Sequence, residues 1–137
     1  MNLDQIPLLA LIKGKLGYDN QRQQLISENV ANADTPGFAP SDLKQFTADK
    51  VLKPQMTMAA VSASVTNAAH IAPQAKATMT WKTETAPDSE STIDGNQVAL
   101  EDQMLKMSNA RMDFDTAITL YQQSLGLLKM AARRPGG

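Results

Sequence analysis

The sequence predicts a mainly α protein whose long N- and C-terminal helices pair as an antiparallel coiled coil, with a small irregular β-containing and extended insert between them. Three observations predict this. Ten positions near the C-terminus, Leu100, Met104, Met107, Arg111, Phe114, Ile118, Tyr121, Leu125, Leu128 and Ala132, alternate by fours and threes without a slip, the spacing of one helical seam. A second stretch, from about Pro7 to Ala33, has no internal proline and carries apolar residues at heptad intervals. The residues between these two are rich in Thr, Ser, Ala and Pro and poor in large apolar side chains, so they cannot build much core alone.

The N-terminal helix carries two adjacent stripes. Leu11, Tyr18 and Leu25 form one, and Leu9, Ile12, Leu16, Ile26, Val30 and Ala33 form the other, interrupted by Asp19 and Gln23. Together they make a face wide enough for more than one neighbour. Gly14 and Gly17 each cost about 1 kcal/mol against alanine in a helix interior, and Asp19 to Gln24 is wholly polar. A helix that is loosely held along its first part is expected.

It stops at a corner. Pro36 turns Thr35 away from the α region, so the helix should end near Ala33. Pro36-Gly37 suits the central positions of a type II turn, with Gly37 supplying positive φ. Asn29, Asn32 and Asp34 are short side chains able to cap the last carbonyls or the turn amides.

Beyond the corner, Leu43 and Phe46 are candidate anchors. Val61 to Thr66 and Thr78 to Thr83 alternate as short strands of one hairpin-like unit, with a turn at His70-Ile71-Ala72-Pro73. Thr83 to Thr92 reads as an extended or mobile acidic linker. Asp94-Gly95-Asn96 then punctuates the chain, and Asp94 with Gln97 resembles a capping box, Asn96 being the competing N-cap. The last helix follows, with Glu101 and Asp102 in its first turns and Lys129, Arg133 and Arg134 in its last, both suited to the helix dipole. The seam runs roughly 50 Å at 1.5 Å per residue, too long and narrow for one wall of a globule.

Several function classes are excluded or disfavoured. Net charge is −1 over 137 residues, which argues against nucleic acid or an anionic membrane as partner. The basic cluster at the C-terminal helix end reads as dipole-compatible charge rather than a phosphate site. With no cysteine, disulfides, thiolate nucleophiles and cysteine-bound metals are impossible. His70 is the only histidine and has no partners for a metal site or a triad. Asp113 and Asp115 diverge on a helix and read as solvent-facing charge or contacts to a neighbouring chain. Met104, Met107 and Met112 are adaptable packing groups. Phosphate loops, nucleophile elbows and zinc helices are missing. No enzyme and no cofactor is expected. No stretch is long enough to span a bilayer, and the run Ile6 to Ile12 does not read as a cleaved signal peptide.

Arg111 interrupts the seam. A cation there either lays its stem along the seam with its head in water, or pairs with an acidic residue and fixes register. Flanking the seam are Val98, Leu105 and Met112 on one side and Leu120 and Leu127 on the other. Two helices cannot cover all of these for each other, so further partners are implied and the seam is expected to serve assembly.

Ser27-Glu28-Asn29-Val30-Ala31-Asn32-Ala33-Asp34-Thr35-Pro36-Gly37-Phe38 resembles the signature of bacterial flagellar rod and hook proteins, Ala-Asn-x-x-Thr-x-Gly-Tyr/Phe after a helix. The matching corner residues are Asn29, Ala31, Asn32, Asp34, Thr35, Pro36, Gly37 and Phe38, the last standing where tyrosine is frequent. Asp94 to Glu101, followed by Met104 and Met107, and Val65-Thr66-Asn67 with His70-Ile71, are also similar to that family. Overall length, the short insert and the Asp94-Gly95-Asn96 start favour its proximal rod members, although the sister subunit FlgC shares the N-terminal motif.

The resemblance implies terminal helices (1–34 and 94–134) paired in a coiled-coil domain, with 35–93 as corner, insert and linker. It implies a structural rod subunit that polymerises and transmits torque. The implied partners are copies of itself, FlgC and neighbouring rod subunits, the adaptor FliE and the flagellar export gate, with no nucleic acid and no direct membrane span. The implied location is the basal-body rod in the periplasmic space, reached by type III export without a cleaved signal. A helical-hairpin adaptor or export chaperone is the competing reading.

Overall fold

A computed structural model describes residues 6–52 and 80–132. Elements follow in the order α1 (Pro7–Ala31), β1 (Ser41–Leu43), α2 (Ala48–Leu52), β2 (Thr83–Thr85) and α3 (Leu100–Ala132). The strand expected at Val61 to Thr66 and the turn at His70 to Pro73 lie outside the described residues, as do Arg133 and Arg134.

Pro7 opens α1 at a position where its missing N–H is not needed. The two long helices run antiparallel: Asn29 meets Gln103, Gln23 reaches the Ala110 carbonyl, and Lys15 reaches Asp113. Falling numbers on α1 match rising numbers on α3.

The two stripes of α1 separate, except that Val30, expected on the second, lies exposed. Tyr18 is buried with Leu43, Val51 and Trp81, and Leu11, Leu25 and Phe46 pack against that cluster. Tyr18 stands edge-on to both Phe46 and Trp81, at centroid distances of 5.6 and 5.2 Å, a favoured geometry for aromatic quadrupoles. Leu9, Ile12 and Ile26 are buried on the other stripe, with Asp19 and Gln23 between them. Gly14 is no mere weakness of α1. A Cβ there would lie 2.7 Å from Val51 Cγ2, so the glycine lets α2 close on the helix.

Three expectations are corrected. Among the described residues the second strand is Thr83–Thr85, with Thr80 to Lys82 of the expected stretch outside it, and it pairs antiparallel with β1 in the register Ser41–Thr85, Asp42–Glu84, Leu43–Thr83. Burial of Trp81 against Tyr18 sets this register, because it carries the following residues alongside Ser41–Leu43. The stretch Thr83 to Thr92 is not a loose linker: its Ala86 and Asp88 amides donate to the Pro40 and Gln97 carbonyls. Finally, α3 starts at Leu100 rather than near Asp94, since Asn96 is taken by the corner and the Ala99 amide is capped by Asp88 at 3.0 Å.

Candidate assembly interface

Two features stand out for function: the corner at one end of the helix pair, and the uncovered side of α3.

The corner is built by amides. Asn29 is buried at the end of α1, where its Nδ2 donates to the Ser41 carbonyl (2.8 Å) and its Oδ1 accepts from the Ser41 amide (3.1 Å). One side chain thereby serves as strand partner to β1. The Asn32 Nδ2 caps the Glu28 carbonyl at 2.8 Å. Phe38 N–H donates to Thr35 C=O across Pro36-Gly37, with Gly37 at φ 70°, as a type II turn requires. The second loop docks on this turn. Asn96 Nδ2 donates to the Asn32 and Thr35 carbonyls at 2.9 and 2.7 Å, and the Gly37 amide donates to the Asp94 carbonyl. Ala31, Asp34, Thr35, Pro36 and Gly37 remain exposed, and Phe38 is half-buried.

A buried polar relay ties the corner to α3. Gln103, fully buried, accepts from Asn29 Nδ2 at 3.1 Å and donates to Asp88 Oδ2 at 2.7 Å. Asp88 also accepts from Lys106 at 2.6 Å. Burial pushes the Asp88 carboxyl upward, but bonds from Gln103, Lys106 and the Ala99 amide outweigh it and hold the group below its ordinary 3.8. Neither Gln103 nor Asp88 stood out in the sequence. The available signal was the heptad Gln103, Ala110, Ala117, a row of small and amide residues beside Met107 and Phe114.

The α3 stripe that faces α1 is turned from the expected seam. The row Met107, Phe114, Tyr121 is half-buried. The other row moves back by one residue, from Met104, Arg111, Ile118 and Leu125 to Gln103, Ala110, Ala117 and Ser124. Ala110 and Ala117 are buried, Ser124, Ile118 and Leu125 are intermediate, and Leu100, Met104, Arg111 and Leu128 are exposed. Small side chains on the inner row let α1 approach closely, and the rotation keeps the Arg111 cation in water, where it makes no ion pair among the described residues. Asp113 does not simply face solvent: it takes a 3.1 Å bond from Lys15.

Leu105 and Met112 are each 62% exposed, and Leu120 and Leu127 are also open. Val98 is buried instead, its amide bonded to the Asn96 side chain. Thus α3 presents apolar side chains on flanks that α1 does not cover. Among the described residues there is no cluster of His, Asp or Glu able to hold a metal, and no helix long and apolar enough to cross a membrane.

A family model described as flagella basal body rod protein matches residues 19–38, from the buried Asp19 through the corner to Phe38. Flagellar basal body rod protein FlgB of Escherichia coli (strain K12) is 31% identical to this chain over 111 residues, spanning 79% of the chain and 75% of that protein. The chain belongs to the flagellar basal body rod protein family. Among other members, FlgB of Agrobacterium fabrum is 24% identical over 135 residues, covering 97% of this chain and 98% of that protein. FlgB of Yersinia enterocolitica is 28% identical over 102 residues, covering 73% and 74%. Membership in this rod family carries a structural, axial-protein role, in keeping with a site made of turn geometry and apolar surface rather than of reacting groups.

Proposed function

We propose that this chain is a FlgB-type proximal rod subunit that polymerises through its terminal helices and transmits torque as part of the flagellar drive shaft. The observation that carries the reading is the uncovered apolar flank of α3: Met104, Leu105, Met112, Leu120 and Leu127 lie open after α1 has packed. Apolar surface of that extent along one helix is dried by neighbouring subunits. In this reading 1–34 and 94–134 make the inner helical layer, and 35–93 the corner and outer insert. The signature corner, Asn29 to Phe38, joins the two layers and touches a neighbour through its exposed Asp34-Thr35-Pro36-Gly37 rim. The outer row of the seam, Leu100, Met104 and Arg111, meets the next helix.

The partners proposed are other copies, FlgC and further rod subunits, FliE and the export gate, reached by type III export. The FlgB assignment is supported by the names of the relatives aligned over most of the chain. Basal bodies isolated from cells producing a tagged chain test it: the tag should label the rod between membrane and hook. Sedimentation of the purified chain should give a monomer that enters larger species only with other rod subunits. A stable dimer that never enters basal bodies would instead identify a helical-hairpin adaptor or export chaperone.

A further inference from the structure

We propose that Asp19 is a proton-binding residue inside the α1–α3 contact, and that Lys15, Asp19 and Asp113 form a clasp whose grip on the two helices strengthens when Asp19 takes up a proton. Asp19 is fully buried, the first polar residue to break the apolar stripe of α1. Its Oδ1 accepts from Lys15 Nζ at 2.8 Å. Its Oδ2 is buried with no hydrogen-bond partner among the described residues. Lys15 is shared, donating also to Asp113 Oδ2 of α3 at 3.1 Å. Two carboxylates therefore meet one ammonium, and one buried oxygen has no donor among the described residues. An ionised carboxylate in that position is held at a cost, and a proton removes the excess charge.

The groups facing Asp19 are Lys15, Tyr18 and Arg22 from α1 and Asp113 from α3. Arg22 is no substitute donor, because it is forked onto Asp42 of β1 at 2.9 and 2.7 Å. Burial drives the Asp19 carboxyl above its ordinary 3.8, against the hydrogen bond and charge of Lys15, and the Asp113 charge pushes the same way as burial. The folded chain thus binds a proton that the unfolded chain has already released in the window from 3.8 up to Asp19's raised value. Across that window the helix pair gains stability as pH falls and loses it as pH rises. Asp42 and Asp88, both held below 3.8, act in the opposite sense and at lower pH, so the two effects separate.

The test is NMR titration of the Asp19 side-chain carboxyl in the full chain, in the wild type and in Asp113→Asn. Asp113 is half-exposed, so this variant keeps the fold. The wild-type midpoint should lie above 3.8, and Asp113→Asn should bring it down as the like charge is lost. Thermal melting should rise as pH falls through Asp19's raised value towards 3.8, and Asp19→Asn should flatten that rise. A wild-type midpoint at or below the ordinary value, or a midpoint that Asp113→Asn leaves in place, overturns the clasp.

Discussion

Gly95 sits against Gly37 across the corner: a Cβ built on Gly95 would lie 3.6 Å from the Gly37 Cα, and both residues have positive φ, 78° and 70°. The two loops that punctuate the chain, one ending α1 and one preceding α3, meet at the two residues able to adopt that backbone without a side-chain penalty. Space is adequate at both positions, so conformation alone sets the cost of substitution. Gly37→Ala and Gly95→Ala should each destabilise the chain by about 1–2 kcal/mol, read by urea melts with unchanged slope. Pro36→Ala with Gly37→Ala should impair entry into the rod more than monomer solubility, measured by motility against soluble yield.

Gly14 and Gly17 lie three residues apart on α1 and should answer in opposite directions. Gly14→Ala drives a methyl into Val51 at 2.7 Å, and overpacking of this kind costs about 1–3 kcal/mol. Val51→Ala in the same chain should recover part of that loss, giving a favourable coupling in a double-mutant cycle. Gly17 has nothing within 4 Å of a built Cβ, so Gly17→Ala should stabilise by about 0.5–1 kcal/mol through helix propensity. Chemical denaturation of the four variants checks both statements.

Acid should unlock the corner. Asp88 is held below 3.8 against its burial by Gln103, Lys106 and the Ala99 amide, and Asp42 likewise by the Arg22 fork and the Leu43 amide. Groups depressed in the folded state lend stability that is fully present above the unfolded value of 3.8 and is lost as pH falls through their folded values. Removing Asp88 leaves Gln103 Nε2 and the Ala99 amide without their acceptor. Asp88→Ala should cost about 1–3 kcal/mol at neutral pH and should shrink the acid-induced loss below 3.8. Melting curves over that range, compared with the wild type, decide it.

What could be read in advance follows from which forces act locally. The Leu11, Tyr18, Leu25 stripe and the anchors Leu43 and Phe46 were legible because apolar periodicity and burial coincide. The Thr35 to Phe38 turn was legible because Pro36 and Gly37 admit few backbones. The relay Asn29, Gln103, Asp88 was not, because amide and carboxylate side chains declare their partners only once distant segments meet. The start of α3 was misplaced for the same reason: Asp94, Asn96 and Gln97 have capping chemistry, but Asn96 was claimed by carbonyls 61 and 64 residues away. Large apolar residues mark a stripe on a helix, yet the closest approach falls on small ones, and this turned the seam towards Ala110 and Ala117.

That rotation is itself testable. Ala110 is fully buried against α1, whereas Arg111, one residue on, is exposed. Ala110→Leu should destabilise by about 1–3 kcal/mol, because the close approach leaves no volume for it. Arg111→Ala should change stability by less than about 0.5 kcal/mol. The reverse order, measured by denaturant melts, would restore the seam centred on Arg111.

Substitutions on the open flank should separate folding from assembly. Leu105 and Met112 are mostly exposed and lie seven residues apart, on one line of α3. Replacing both with glutamate places charge where the monomer has only water, so the double variant should melt within about 0.5 kcal/mol of the wild type. In a rod the same charges would be desolvated between subunits without a partner, at a cost of several kcal/mol each. Cells producing only the double variant should therefore make soluble, folded chain yet build no rod. Motility and basal-body yield at wild-type levels would mean that these side chains stay in water in the assembled rod, and that neighbouring subunits hold the chain by another face.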